Sequence, residues 1–224
     1  MDHAFPASWY PDTTPEQVQR WTVPSCQVCN NRFSKAEREL LIRMGLCVNP
    51  TRWEAHGIST KALRSLGVGV EEEMAEREAA HRRAKKRSIL ARLLRYTPEQ
   101  MAAHVLPGFG PREGARAGEE SVVLVPADAL TRVTEKIVRG CEFKLGVERY
   151  IEPPYELQTF FPVQKGIDEM RGYLVNAEVT ELGPGLEIRR RAAADDPLTV
   201  LYRLRIWGTL TTFGSILRAE STAS

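Results

Sequence analysis

Charge of one sign is what this sequence lacks most clearly: 31 Lys+Arg stand against 29 Asp+Glu, a formal net charge of +2. A chain so balanced has no global electrostatic signature of a nucleic-acid binder, so any phosphate-tracking surface must come from local clustering. Long hydrophobic runs are also missing, and nothing approaches the roughly 20 apolar residues that cross a bilayer. The opening residues include Asp2, His3 and Pro6 and show no basic stretch leading into an apolar one, so they do not read as a secretory signal. Cysteine is scarce. Cys26, Cys29, Cys47 and Cys141 are too few and too unevenly spaced for a secreted disulfide framework. These absences lead to the expectation of a cytoplasmic protein with no membrane partner.

What is present is enough to fold. With 224 residues, 42% of them hydrophobic, the chain can bury a real core in one domain or two. Residues 1–30 are rich in Pro, Asp, Thr and Trp and read as loops and short strands. Ser34, Lys35, Ala36 and Glu37 fit a capping box, with Ser34 as N-cap; Leu40, Leu41 and Met44 follow at helical spacing, and Gly45 is the stop. Helical potential returns over 61–66. A long charged helix is expected over 71–95, acidic first and basic later as the helix dipole favours, with a short capped helix after Thr97 and Pro98. Residues 107–120 read as a linker, carrying Gly108, Gly110, Gly114 and Gly118.

Beyond the linker the character changes. A short strand is expected at 122–125. Leu130, Val133, Ile137 and Val138 line one face of a helix closed by Gly140, with Cys141 as buried filler. A strand at 155–161 and a short helix at 167–175 follow. The clearest β signal is at the C-terminus, where Leu198, Val200, Tyr202, Leu204 and Ile206 alternate with Thr199, Leu201, Arg203 and Arg205. With flanking strands at 186–193 and 209–217, this reads as an antiparallel meander with one wet, partly basic face. Core and surface roles account for Trp207 and Arg203. The expected fold class is α+β: an N-terminal module over 1–50, a helical middle over 51–106 and a C-terminal sheet with one or two helices over 121–224.

The chemistry-bearing residues gather near the N-terminus. Asp2 and His3 are followed by Phe5 and Pro6, and Trp21, Thr22, Val23 and Pro24 precede Cys26-Gln27-Val28-Cys29-Asn30, after which a helix begins. A Cys-x-x-Cys alone is as compatible with a structural turn or a redox pair as with half a metal site. In this order the segments resemble the HNH, or ββα-metal, endonuclease family over residues 2–44, and more narrowly a bacterial HNH subgroup. In that family an Asp-His pair ends the first strand and a Cys-x-x-Cys-Asn segment leads into the helix. The resemblance implies a divalent-metal-dependent DNA endonuclease, with His3 as general base and Asp2 and Asn30 as ligands to Mg²⁺ or Mn²⁺. A neutral imidazole suits proton abstraction, and hard cations prefer oxygen donors. Arg32 and Lys35 are expected phosphate contacts, while Asn31 and Glu37 are further ligand candidates.

Family members usually complete a structural Zn²⁺ site with a second Cys-x-x-Cys upstream of the Asp-His pair. Here Met1 directly precedes Asp2, so the module reads as N-terminally truncated and Cys26 and Cys29 as half a site. Cys47 and His56 are the in-chain candidates to complete it. A misplaced start, a decayed copy and a fold that manages without zinc all fit. The basic run Arg82, Arg83, Lys85, Lys86 and Arg87, interrupted only by Ala84, is either a solvated helix face or a phosphate-tracking surface. The alternative function is therefore a decayed HNH scaffold that binds nucleic acid or protein without cutting.

Overall fold

The structure, a computed structural model, describes residues 1–66, 125–146, 150–162 and 164–219, together with Ala80, Ala84, Leu93, Leu94, Leu106, Phe109, Val122 and Val123. The fold is α+β. Strand β1 (Asp2–His3) pairs antiparallel with β2 (Thr22–Val23), placing Asp2 opposite Val23 and His3 opposite Thr22. The loop between them is held by aromatic packing: the Phe5 ring meets Trp9 at 5.9 Å and Tyr10 at 5.4 Å, both edge-on. Such pairs add to the burial of large rings already out of water.

Helix α1 (Gln27–Gly45) begins two turns earlier than the Ser34 capping signature indicated. Cys26 is the N-cap: its backbone is extended and its Sγ accepts the Cys29 amide at 3.3 Å. With the chain already helical at Ser34, no orphan amide remains there to cap. Ser34 instead donates its hydroxyl to Asn30 Oδ1 at 3.3 Å, and Glu37 turns to a distant lysine. The stop at Gly45 is where the helix ends. Helix α2 (Ile58–Ser65) packs back against α1.

Leu93–Leu94 form strand β3, paired antiparallel with β4 (Val122–Val123), so the helix expected to run to 95 has given way to extended chain by 93. Most of 67–124 lies outside the described residues. That includes the linker glycines, the capped turn after Thr97, and Arg82, Arg83, Lys85, Lys86 and Arg87.

Helix α3 (Ala127–Leu145) runs straight through Gly140, which the sequence reading made its end. The glycine is there for space: a Cβ on Gly140 would lie 2.6 Å from the Ala4 Cβ, so α3 crosses the end of β1 nearly backbone to backbone. Strand β5 (Tyr155–Phe160), helix α4 (Gln164–Tyr173) and strands β6 (Glu178–Gly183), β7 (Leu186–Ala192), β8 (Val200–Ile206) and β9 (Leu210–Arg218) follow. The strands form one antiparallel sheet in the order β5-β9-β8-β7-β6.

From Val200 onward the alternation in β8 is realised as read, while Leu198, expected to begin it, lies exposed in the preceding turn. Val200, Tyr202, Leu204 and Ile206 turn inward with Ile188 and Ile216, and they join Phe5, Trp9, Leu40, Val133 and Ile137 in one continuous core. The other face is less wet than expected, because Ile167 of α4 and Leu174 in the turn after it pack with Phe213 and Leu201. Arg203, on that face, is only 9% exposed and pairs with Glu187. A tight turn joins β8 to β9, with Trp207 (φ 54°) and Gly208 (φ 63°) both left-handed. No described helix is long and apolar enough to cross a membrane.

Candidate functional site

The end of β1 delivers Asp2 and His3 to the flank of α1. Asp2 Oδ1 accepts the His3 backbone N–H at 2.8 Å, which fixes the carboxylate relative to the strand. Its Oδ2 lies 2.9 Å from Lys136 Nζ, which reaches down from α3. The same ammonium is ion-paired to Glu37 from the middle of α1. All three side chains are withdrawn from water, at 12% exposure for Asp2, 13% for Glu37 and 5% for Lys136. Burial pushes the Glu37 carboxyl above its ordinary pKa. The hydrogen bond and charge of Lys136 pull it down, Asp2 pushes it up again, and His3 contributes a smaller lowering. His3 Nδ1 is buried and has no hydrogen-bond partner.

Glu37 is held from behind. The Trp9 indole donates to the Glu37 backbone carbonyl at 3.2 Å, and the Trp9 carbonyl accepts the Trp207 indole N–H at 2.7 Å. The turn between β8 and β9 thus braces the loop that braces the site. Glu37 was a ligand candidate as well as half of the expected capping box, whereas Lys136, 99 residues away from it in sequence, carries no local functional signal.

Asn30 falls on the same face of α1 as Glu37 but seven residues earlier, a helical rise of about 10 Å. The carboxylate that converges with Asp2 is Glu37, while Asn30 is engaged with Ser34. Arg32 and Lys35 are exposed and line an open cleft of about 470 Å³ with Asn31, Glu39, Asp128 and Arg132. Helical periodicity puts them on the side of α1 roughly opposite Asn30 and Glu37. They are basic surface beside the site, outside its contact group.

Cys26 and Cys29 are exposed, free thiols at the start of α1. The Cys29 amide and then the Cys29 thiol hold Cys26 below the ordinary cysteine range, and Cys29 is raised by the same thiol contact and the Cys26 charge. Cys47 donates its thiol to the Arg43 carbonyl at 3.3 Å. Among the described residues no three or more His, Cys, Asp or Glu side chains are grouped to hold a metal, so Cys47 and His56 do not complete a zinc site with Cys26 and Cys29. Two thiols are half of what a structural zinc normally takes.

A hard divalent ion has a better match. Mg²⁺ and Mn²⁺ sites commonly use one or two carboxylates plus water and phosphate oxygens. Asp2 and Glu37 converge on a single cation position, and in this fold that position is held by the Lys136 ammonium. Compared with protein-family models, curated proteins and solved structures, the chain gives no match.

Proposed function

We propose that the N-terminal β1-β2-α1 unit is an HNH-type nuclease module that hydrolyses DNA phosphodiester bonds with a divalent cation. The observation that carries this reading is the convergence of Asp2 and Glu37 where a strand end abuts a helix flank, with His3 next to Asp2 on the strand and close enough for its charge to act on Glu37. His3 is the general base. With Nδ1 sealed inside the protein, Nε2 is the nitrogen that takes the proton of the attacking water. Asp2, anchored by the His3 amide, and Glu37 supply the anionic oxygens. When bound, Mg²⁺ or Mn²⁺ would neutralise charge on the scissile phosphate and leaving oxygen. Arg32 and Lys35, across α1 from the site, hold flanking phosphate backbone in the cleft they line and read no bases.

A second reading has its own support: a scaffold that binds nucleic acid without cutting. Lys136 already pairs with both Asp2 and Glu37, taking the place a lost metal would leave. Binding would then run through Arg82, Arg83, Lys85, Lys86 and Arg87 and fall steeply with salt as counterions are released.

The test is nicking of supercoiled plasmid by the full chain in Mg²⁺ or Mn²⁺, beside His3→Ala and a chelator. Loss of a general base costs about 10²–10⁴-fold. Nicking that survives His3→Ala unchanged refutes the role given to His3. Folded protein that binds DNA in low salt and never nicks it establishes the second reading.

A further inference from the structure

The ammonium in the site comes from outside the segments that resemble a nuclease. Lys136 belongs to α3, and its Nζ is shared by two carboxylates from different elements, Asp2 at the end of β1 and Glu37 in α1. Its side chain is only 5% exposed, and its charge is engaged with those two carboxylates. Two carboxylates against one ammonium leave the cluster one negative charge in excess. A divalent ion at the same point would cancel both.

The helix that carries Lys136 cannot withdraw. Gly140, one turn further along, lies against Ala4 with space for no side chain, and Leu130, Val133 and Ile137 of the same helix sit in the main core. The Lys136 ammonium, by contrast, sits on a flexible four-carbon stem.

We propose that Lys136 is a tethered counter-ion seated in the cation position formed by Asp2 and Glu37, and that a divalent cation enters this site by displacing its ammonium. The inference rests on the reading of Asp2 as a metal ligand and deepens it, naming Glu37 as the partner carboxylate and Lys136 as the group that sets cation affinity. Cation binding is then a competition within the fold. The metal must supply more to the two carboxylates than the ammonium already does, and the ammonium must find water.

The probe is Mn²⁺ alone, titrated into full-length wild type, Lys136→Met and the double variant Lys136→Met/Asp2→Asn, with free Mn²⁺ read by electron paramagnetic resonance. Methionine keeps most of the stem and removes the charge. Lys136→Gln, which retains a neutral donor toward the carboxylates, carries the same expectation should the methionine variant fold poorly. Freeing both carboxylates of a buried ion pair is expected to tighten Mn²⁺ binding by at least ~10-fold, with the gain abolished in the double variant. Mn²⁺ should also raise the melting temperature of Lys136→Met more than that of wild type. Equal affinity in wild type and Lys136→Met, lost on Asp2→Asn, would overturn the counter-ion role while leaving the metal site standing. Absence of Mn²⁺ binding in every folded variant would remove the metal-ligand reading of Asp2, and the inference with it.

Discussion

Replacing Trp207 separates three contributions that the structure puts on one side chain. The residue is fully buried, its ring lies 5.1 Å from that of Trp9, its indole N–H donates to the Trp9 carbonyl at 2.7 Å, and its backbone holds φ at 54°. Trp207→Phe keeps most of the ring and removes the donor, leaving a buried carbonyl unpaired, at a cost of about 1–3 kcal/mol. Trp207→Ala removes the ring as well and should cost about 3–5 kcal/mol. The backbone makes the informative comparison. In ordinary conformations glycine is less stable than alanine by roughly 0.5–1 kcal/mol, but a left-handed residue carries a Cβ penalty of roughly 1–2 kcal/mol that glycine escapes. Trp207→Gly should therefore be more stable than Trp207→Ala, reversing the usual order. Urea unfolding followed by far-ultraviolet circular dichroism reads all three, since it does not depend on tryptophan emission. An alanine variant more stable than the glycine variant refutes the strained turn. An alanine cost below about 1 kcal/mol refutes the brace that runs from the β8–β9 turn through Trp9 to Glu37.

Three other outcomes follow from the same contacts. Glu142 is fully buried and accepts from the Tyr202 hydroxyl at 2.5 Å and Arg190 Nε at 3.2 Å, so Glu142→Gln should cost about 3 kcal/mol in urea unfolding by leaving Arg190 only the more distant, exposed Glu178 as a charge partner. Burial works to raise the Glu187 pKa, yet the Arg189 hydrogen bond and the charges of Arg203 and Arg189 outweigh it and hold it lowered. A depressed folded pKa gives stability that is present above the ordinary glutamate value of 4.5 and is lost as pH falls through the folded one; Glu187→Gln should flatten stability against pH in that acid range, and an unchanged acid limb contradicts the pairing. Alkylation at neutral pH followed by mass spectrometry should label exposed Cys26 before Cys29, and should reach buried Cys141 only after denaturation.

How much of this was legible depended on how local the cause was. The β8 alternation is a local signal and came through, as did the strands on either side of it. Helix α1 was read from the wrong start because Ser34 and Glu37 make a valid cap pattern, while the real cap is Cys26, whose thiol is a weaker and less familiar acceptor. Gly140 resembled a helix end and is a packing contact with Ala4, a fact that only the crossing of α3 over β1 reveals. Strand β6 escaped notice because an edge strand with Glu178, Val179 and Glu181 all exposed has little apolar alternation to show. In the site, Asp2 and His3 were visible because they are adjacent and sit in a recognisable order. Lys136 was not, since nothing around it in α3 distinguishes it from a solvated helix lysine until the fold brings it to Asp2.

The central claim, that Asp2, His3 and Glu37 form a cation-using phosphodiester site, is tested most directly by the rate of supercoiled-plasmid nicking in Mn²⁺ for wild type, Asp2→Asn and Glu37→Gln. Each variant is first shown by its melting curve to be folded. Both substitutions should slow nicking by about 100-fold or more, as loss of positioned charge at such a site does. Wild-type nicking that persists undiminished in either folded variant would contradict the account.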